Sequence, residues 1–185
     1  KCLLKLPGKC IIVVTRQREG TIFLSFTKRF GFIGAGNLAS AIVRGLLAQG
    51  DIKPENLYIY DLLPEKAQHL SETGVSAAPS AAELVRLCDY IFLTVKPNVY
   101  QTVLEEIAPF VGDKCLIDVA AGITTDYVKS VLGFDAKVVR VMPNTPLLVG
   151  KGASALVHKP PVTDEEFQTV FDVFRSAGYA AKVEE

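Results

Sequence analysis

The stretch Gly31-Phe-Ile-Gly-Ala-Gly-Asn-Leu-Ala39 decides the fold of this chain. Apolar residues from position 30 to 33 predict a short buried strand, and Gly34, Gly36 and Ala39 follow it with the spacing G-x-G-x-x-A. In such a unit the first glycine permits a tight turn, and the second lets the backbone approach a pyrophosphate. The small third residue lets the next helix pack close to the strand. The helix start then offers free N–H groups to the phosphates.

The segments that follow support a dinucleotide site, although small residues also pack helices against strands in many proteins. Leu38, Ile42 and Leu46 have helical spacing, and Gly50 is typical of a left-handed helix end. Asp61 follows the apolar run 57–60, 22 positions after Ala39, close to the ~20 expected for an acidic residue that binds the ribose hydroxyls. A carboxylate there repels a 2′-phosphate, which by itself favours NADH over NADPH. The alternative is that Asp61 merely caps the helix that begins near residue 64.

Strand-like and helix-like segments alternate from residue 29 onward. Further strands are predicted at residues 57–60, 90–95, 115–120, 137–142, 153–157 and 179–183. Helix starts are predicted, in chain order, at Pro64, at the capping box Ser80/Glu83, at the pair Asn98/Gln101, at Thr124 and at the capping box Thr163/Glu166. Helix ends are predicted at Gly74, at about Pro109, at Gly133 and at Gly178. This alternation predicts an α/β fold of the Rossmann type: a doubly wound, mostly parallel sheet with helices on both faces. Residues 149–152 are interpreted as a loop within the domain.

Composition and charge argue against several function classes. The chain has 185 residues and equal numbers of basic and acidic side chains, so general attraction to nucleic acid or to an anionic membrane is not expected. No apolar run reaches the ~18 residues of a membrane span. Neither a nucleophile–base pair nor a metal cluster is evident, and hydride transfer requires neither, because the cofactor carries the hydride.

The cysteines and histidines give no chemical signal. The four cysteines, Cys2, Cys10, Cys88 and Cys115, lack C-x-x-C spacing and are interpreted as reduced thiols of a cytoplasmic protein. His69 and His158 are interpreted as surface residues.

Residues 1–28 do not fit the alternating pattern. Residues 11–14 and 21–26 predict two strands of a hairpin, with residues 16–20 as the turn. The apolar runs are too short and interrupted for a good signal peptide. The segment is interpreted as an extension of unknown role that precedes a dinucleotide-binding domain at residues 29–185.

Ligands of an open parallel sheet bind beyond the carboxyl ends of its strands, where several further candidates fall. Lys96 could steer a phosphate or close the nicotinamide side of the cleft, or it could be a solvated loop lysine. Ala120, Ala121 and Gly122 could support a flat ring, or they could simply pack a helix against a strand. Asn144 could bind a carboxamide or orient a substrate, or its polar groups could satisfy the backbone of a rigid turn.

Four segments in this order resemble pyrroline-5-carboxylate reductases: GFIGAGNLA at 31–39, FLTVKP at 92–97, AAGIT at 120–124, and VVRVMPNTP at 138–146 with GKGASALV at 150–157. The similarity covers roughly residues 29 to 185. It implies reduction of 1-pyrroline-5-carboxylate to L-proline with NADPH or NADH. The resemblance also implies cofactor contacts from Ile33, Gly34, Ala35, Gly36, Asn37, Leu38, Thr94, Val95, Lys96, Pro97, Val119, Ala120 and Ala121.

The resemblance also implies a second, helical domain that forms a homodimer or higher oligomer and completes the substrate site. That domain is expected to be absent from these 185 residues, so the isolated chain is expected to be inactive and its catalytic residues stay unassigned. Two alternatives remain open. One is a related reductase of the F420-dependent NADP reductase or β-hydroxyacid dehydrogenase type, and the other is a non-catalytic nucleotide-binding module.

Overall fold

The structure, a computed structural model, describes residues 28–50, 52–144, 146 and 151–184. The described chain forms eight strands and six α-helices, which alternate except that the seventh strand follows the sixth directly. The strands are β1 (Phe30–Ile33), β2 (Leu57–Tyr60), β3 (Ser76–Ala77), β4 (Tyr90–Leu93), β5 (Cys115–Asp118), β6 (Lys137–Pro143), β7 (Gly152–His158) and β8 (Gly178–Lys182). The helices are α1 (Asn37–Gln49), α2 (Pro64–Ser71), α3 (Ala81–Leu87), α4 (Tyr100–Val111), α5 (Thr125–Leu132) and α6 (Asp164–Ser176). The hairpin predicted at residues 11–26 and residues 149 and 150 of the predicted loop lie outside the described residues, and Gly152, the last residue of that predicted loop, is the first residue of β7.

All eight strands form one sheet in the order β3-β2-β1-β4-β5-β6-β7-β8. The first six are parallel to one another, whereas β7 runs antiparallel to β6 and β8 runs parallel to β7. The predicted doubly wound, mostly parallel sheet is therefore confirmed. The strand order reverses between β1 and β4, and this switch point is where open α/β sheets bind their ligands.

Two apolar layers cover the sheet, one on each face. Phe32 and Phe92 stack at 4.6 Å between ring centroids in the layer that also contains the buried faces of α1, α2 and α6. The other layer packs Ile33 and Leu93 against α3, α4 and α5. Neighbouring residues of one strand thus enter opposite layers, as the period of two along a strand requires.

Most of the predicted helix boundaries are confirmed. Thr163 and Glu166 form a complete capping box, and the side chain of Thr124 accepts the N–H of Tyr127. At the predicted Ser80 box only one half is formed: Ser80 accepts the N–H of Glu83, whose own carboxylate pairs with Arg86.

Four predicted helix boundaries differ from the structure. Two of them differ only by two or three residues: α2 ends at Ser71, before Gly74, and α4 runs through Pro109 to Val111. The other two are wrong. Asn98 and Gln101 do not open α4, because Pro97 starts a short 3-10 turn at Pro97–Val99 and the helix begins only after it, at Tyr100. Gly178 does not close α6. That helix ends at Ser176, and Gly178 is the first residue of β8.

Gly34 is closely surrounded at the end of β1. It has φ +105°, and a Cβ placed on it would lie 2.8 Å from the carbonyl carbon and oxygen of Thr94. The backbone N–H of Gly34 also donates to the carbonyl of Tyr60 at 2.7 Å. The turn after β1 is therefore enclosed by the ends of both neighbouring strands, and only glycine fits there.

We expect Gly34→Ala to destabilise the fold by more than about 2 kcal/mol, because the methyl group meets rigid backbone in addition to the ~1–2 kcal/mol cost of a positive φ. Gly50→Ala is the matched control, since Gly50 has φ +75° with nothing within 4 Å of its Cβ position. Urea denaturation of both variants measures the difference. Equal losses would show that the Thr94 contact does not limit residue 34.

Candidate functional site

The structure brings the ends of four strands together at one edge of the sheet. β1 lies between β2 and β4, and β5 follows β4. The segments 33–38, 61, 94–97 and 119–122, which are far apart in sequence, therefore lie side by side beyond these strand ends. The predicted strands 90–95 and 115–120 both end two residues early, at Leu93 and Asp118, so that the residues after them form the loops of this edge.

Gly36 borders open space at the start of α1. It is the N-cap residue, with extended backbone, and no atom outside its immediate neighbours lies within 4 Å of its Cβ position. No side chain caps α1 and its first turn holds no acidic residue, whereas hydroxyl groups cap α3, α5 and α6. Asn37 is exposed here, and Leu38 is half-buried. The free amides and positive end of this 13-residue helix suit an anionic ligand.

Asp61 braces the glycine-rich turn from the β2 side. Its Oδ2 accepts the N–H of Ala35 at 2.8 Å, and its Oδ1 accepts the N–H of Leu63 at 3.0 Å. Leu63, not Asp61, is the N-cap residue of α2, so the simple capping alternative does not hold. Each carboxylate oxygen has a second lone pair, which leaves acceptor capacity for ribose hydroxyls. The ribose role stays a prediction.

Thr94 braces the same turn from the β4 side. Its hydroxyl lies 3.0 Å from the carbonyl oxygen of Ile33 and 2.7 Å from that of Gly34. Val95 is half-buried, and Lys96 and Pro97 are exposed at the mouth of the cleft. No hydrogen bond or ion pair joins the Lys96 side chain to another residue in the described part of the chain, so its ammonium group is available to a ligand.

The loop after β5 presents a small, smooth surface. Ala120 is buried and Val119 is half-buried, whereas Ala121 and Gly122 are exposed. Nothing lies within 4 Å of the Cβ position of Gly122. The loop therefore leaves room for a flat ring at Gly122, and ring binding stays a prediction.

Asn144 lies farther along the edge. Its Oδ1 accepts the N–H of Ala153 at 2.8 Å, and its own N–H donates to the carbonyl of Ala153 at 3.1 Å. The side chain thus extends the pairing of β6 with β7, which agrees with the alternative that its polar groups satisfy backbone. β6 lies three strands, or about 14 Å, from β1, and Asn144 lies four residues beyond the β6 residue in register with the end of β1, so it is farther than about 14 Å from that end. Its contact with a cofactor stays a prediction.

Sequence reasoning missed Asp118, a fully buried carboxyl group at the end of β5. Its Oδ1 accepts the N–H of Ala120 at 3.0 Å and lies 2.6 Å from the hydroxyl of Tyr100, while its Oδ2 has no hydrogen-bond partner in the described structure. Burial raises the pKa of Asp118, against the opposing effects of these two hydrogen bonds and of Arg140. The sequence did hold a signal for this buried carboxyl group, because Asp118 is an ionisable residue within the otherwise apolar run 115–120.

The two cysteines among the described residues, Cys88 and Cys115, are buried. Burial raises the pKa values of Cys88 and Cys115 to about 12, so both thiols stay protonated and inert, as predicted for core thiols. The prediction for His158 is wrong: its side chain is only 10% exposed and stacks on Phe167. His69 is exposed as predicted. Among the described residues, no three His, Cys, Asp or Glu side chains are placed to hold a metal ion.

The family described as NADP oxidoreductase, coenzyme F420-dependent, matches residues 29–122, just over half of the chain. The chain belongs to this family. The matched segment includes the turn at Gly34 and Gly36, Asp61, and the loops after β4 and β5. None of the described helices is long and apolar enough to cross a membrane.

The resemblance to pyrroline-5-carboxylate reductases is also confirmed. The enzyme of that name from Escherichia coli K12 is 39% identical over 160 residues, covering 85% of this chain and 60% of its own length. A solved pyrroline-5-carboxylate reductase from Coxiella burnetii gives a TM-score of 0.83 at 30% identity, covering 86% of this chain and 60% of that one. The Plasmodium falciparum pyrroline carboxylate reductase, solved with NADP bound, gives 0.78 at 33% identity, covering 86% and 58%. The chain thus spans about three-fifths of the length of these relatives.

The buried Asp118 predicts a distinct pH dependence of stability. Because its pKa is raised in the folded state, it contributes stability that is complete below the unfolded value of ~3.9 and is lost as the pH rises towards the folded value. We expect the free energy of unfolding of the wild type, minus that of Asp118→Asn, to fall by up to about 1.4 kcal/mol per pH unit above pH ~4. Urea denaturation at several pH values measures this difference. A gap that grows with pH would indicate that Asp118 is ionised in the folded protein.

Proposed function

We propose that this chain is the nucleotide-binding half of an NAD(P)H-dependent reductase that converts 1-pyrroline-5-carboxylate to L-proline. The observation that carries the proposal is the 39% identity to a pyrroline-5-carboxylate reductase over 160 residues. The open space beside Gly36 at the strand switch point supports the cofactor, because a pyrophosphate needs close access to backbone amides there. The family match ends at residue 122, whereas the similarity to these reductases extends beyond it, which favours them over F420-dependent enzymes.

The residues at the edge of the sheet fit a nicotinamide dinucleotide. The amides at the start of α1 would hold the pyrophosphate, and Asp61 would accept the ribose hydroxyls. Lys96 would lie near the phosphates or the nicotinamide side, and the small loop at residues 120–122 would support the flat ring. When bound, the reduced cofactor supplies a hydride for the imine carbon of the substrate.

The proposed reaction makes modest demands on this half of the enzyme. A protonated cyclic imine is already electrophilic, so addition of a hydride to its carbon gives the amine directly, and no general acid or base is needed at that carbon. The demand is alignment of donor and acceptor at near-attack distance. The rigid ends of β1, β4 and β5 would supply the cofactor's share of that alignment.

Two further properties belong to the proposal. By the resemblance, the whole protein works as a homodimer or higher oligomer. A cytoplasmic location agrees with the free, buried thiols of Cys88 and Cys115.

Gly36→Val tests the cofactor site. We expect NADH binding, followed by nicotinamide fluorescence, to be lost up to millimolar concentration, because the valine side chain fills the space beside the first amides. The backbone of Gly36 is extended and its surroundings are open, so the loss of stability stays below about 1 kcal/mol. Ala48→Val, at an exposed position of the last turn of α1, is the matched control and keeps binding. No NADH binding by the wild type would refute the proposed cofactor site.

Asp61→Asn tests the choice between the two cofactors. The amide keeps an acceptor for the glycine-rich turn and removes the charge that repels a 2′-phosphate. We expect the ratio of the NADPH to the NADH dissociation constants to fall about tenfold or more, since two like charges 4 Å apart repel by up to ~4 kcal/mol near a protein surface. Parallel titrations with both cofactors measure the ratio. An unchanged ratio would leave Asp61 only its role in bracing the turn.

A chimaera tests the reaction itself. Residues 29–184 replace the matching segment of the Escherichia coli pyrroline-5-carboxylate reductase, so that the remainder of that enzyme accompanies this chain. We expect the chimaera to reduce 1-pyrroline-5-carboxylate with NADH or NADPH, and the same chimaera with Gly36→Val to be inactive. The chimaera could instead fold and bind NADH, lack this activity, and reduce the keto acid that corresponds to a short hydroxy acid. That result would favour a dehydrogenase of the β-hydroxyacid type.

A further inference from the structure

Three residues form a buried chain of polar groups directly beneath the candidate site. Asp118 is the last residue of β5, Tyr100 is the first residue of α4, and Leu93 is the last residue of β4. Asp118 and Tyr100 are 0% and 1% exposed. The Tyr100 hydroxyl oxygen lies 2.8 Å from the carbonyl oxygen of Leu93 and 2.6 Å from Oδ1 of Asp118.

The number of hydrogens shared by these three polar groups decides which group donates to which. A tyrosine hydroxyl carries one hydrogen, and the Leu93 carbonyl can only accept. If Tyr100 donates to Leu93, the 2.6 Å contact needs a hydrogen from Asp118. A neutral acid supplies that hydrogen, and it avoids burying a charged group whose Oδ2 has no partner among the described residues.

The groups that face Asp118 act in opposite directions. Tyr100 approaches from α4, and Arg140 lies opposite Asp118 in the register of β5 with β6. The guanidinium of Arg140 favours an ionised Asp118, whereas complete burial favours the neutral form. Burial has the larger effect, so the pKa of Asp118 is raised. The neutral form itself follows from the hydrogen count at Tyr100 and from the unpartnered Oδ2.

We propose that Asp118 is a neutral acid that donates its proton to Tyr100, and that this chain of hydrogen bonds fixes the spacing of the two loops flanking the nicotinamide. The loops are residues 94–97 after β4 and 119–122 after β5, and Asp118 also accepts the N–H of Ala120 within the second loop. Asp118 and Tyr100 are positioning residues, since neither reaches the surface. The inference rests on the proposed function, because it assigns these loops to cofactor binding.

Variants of the whole 185-residue chain distinguish an effect on NADH binding from an effect on the stability of the fold. Asp118→Leu and Tyr100→Phe break the chain of hydrogen bonds, and we expect each to raise the dissociation constant of NADH roughly fivefold, the effect of one hydrogen bond. Asp118→Asn is the conservative variant: with its amide oxygen at the Oδ1 position it still accepts the N–H of Ala120 and the hydroxyl hydrogen of Tyr100, so we expect it to raise the dissociation constant less than Asp118→Leu does.

Tyr90→Phe is the matched control. Tyr90 is also a buried tyrosine with a side-chain hydrogen bond, to Thr169, but it lies at the opposite end of β4. We expect it to lower stability in urea as Tyr100→Phe does and to leave NADH binding unchanged. Equal effects of Tyr90→Phe and Tyr100→Phe on NADH binding would overturn the positioning role.

Infrared spectroscopy tests the neutral acid directly. With carboxyl-labelled aspartate, the wild type minus Asp118→Asn difference spectrum at pH 7 shows a protonated carboxylic acid band. A carboxylate band instead, or an Asp118→Asn variant that binds NADH as poorly as Asp118→Leu, would overturn the inference. If the wild type binds NADH and Asp118→Leu and Tyr100→Phe bind it equally well, this inference is refuted and the proposed function stands. If the wild type does not bind NADH, the proposed function and this inference are both refuted.

Discussion

The contact between the turn at Gly34 and the backbone of Thr94 is the constraint on which the candidate site depends. β1 lies in the middle of the sheet, and the chain leaves it towards α1 on one face while β4 leads to α4 on the other. The two connections diverge, so a crevice opens between them at the strand ends. The crevice requires a narrow turn after β1, and the turn is narrow because Gly34 has no side chain.

Two side chains hold that turn from either side. Asp61 accepts an amide of the turn from the β2 side, and the Thr94 hydroxyl meets its carbonyls from the β4 side. Both residues were predicted from the sequence to be ligand contacts, which stays a prediction, and the structure shows that both hold the turn. A residue at such an edge can serve both purposes because its carboxylate or hydroxyl oxygen has more than one lone pair. The carboxylate oxygens of Asp61 and the hydroxyl oxygen of Thr94 therefore hold the shape of the turn and are also the atoms available to a ligand.

Local signals predicted the elements well because they act over a few residues. The capping residues Ser80, Thr124 and Thr163 satisfy amides three positions away, so their spacing alone is informative. The pair Asn98/Gln101 has the same local pattern and failed, since Pro97 begins a short 3-10 turn that delays the helix. His158 failed for another reason: α6 supplies the ring of Phe167 on which it stacks, and that contact is invisible in the residues around position 158.

The alternation of strand-like and helix-like segments from residue 29 onward predicted the Rossmann-type sheet, and the small, apolar and acidic residues from 31 to 61 predicted the glycine-rich turn and the acidic residue beside it. These features depend on steric bulk and on alternation, which each short segment carries within itself. The role of Asn144 in joining two strands and the burial of Asp118 beneath the site arise only when distant strands and helices pack. A carboxyl group changes its chemistry with the water and partners around it, and those are supplied by residues far away along the chain.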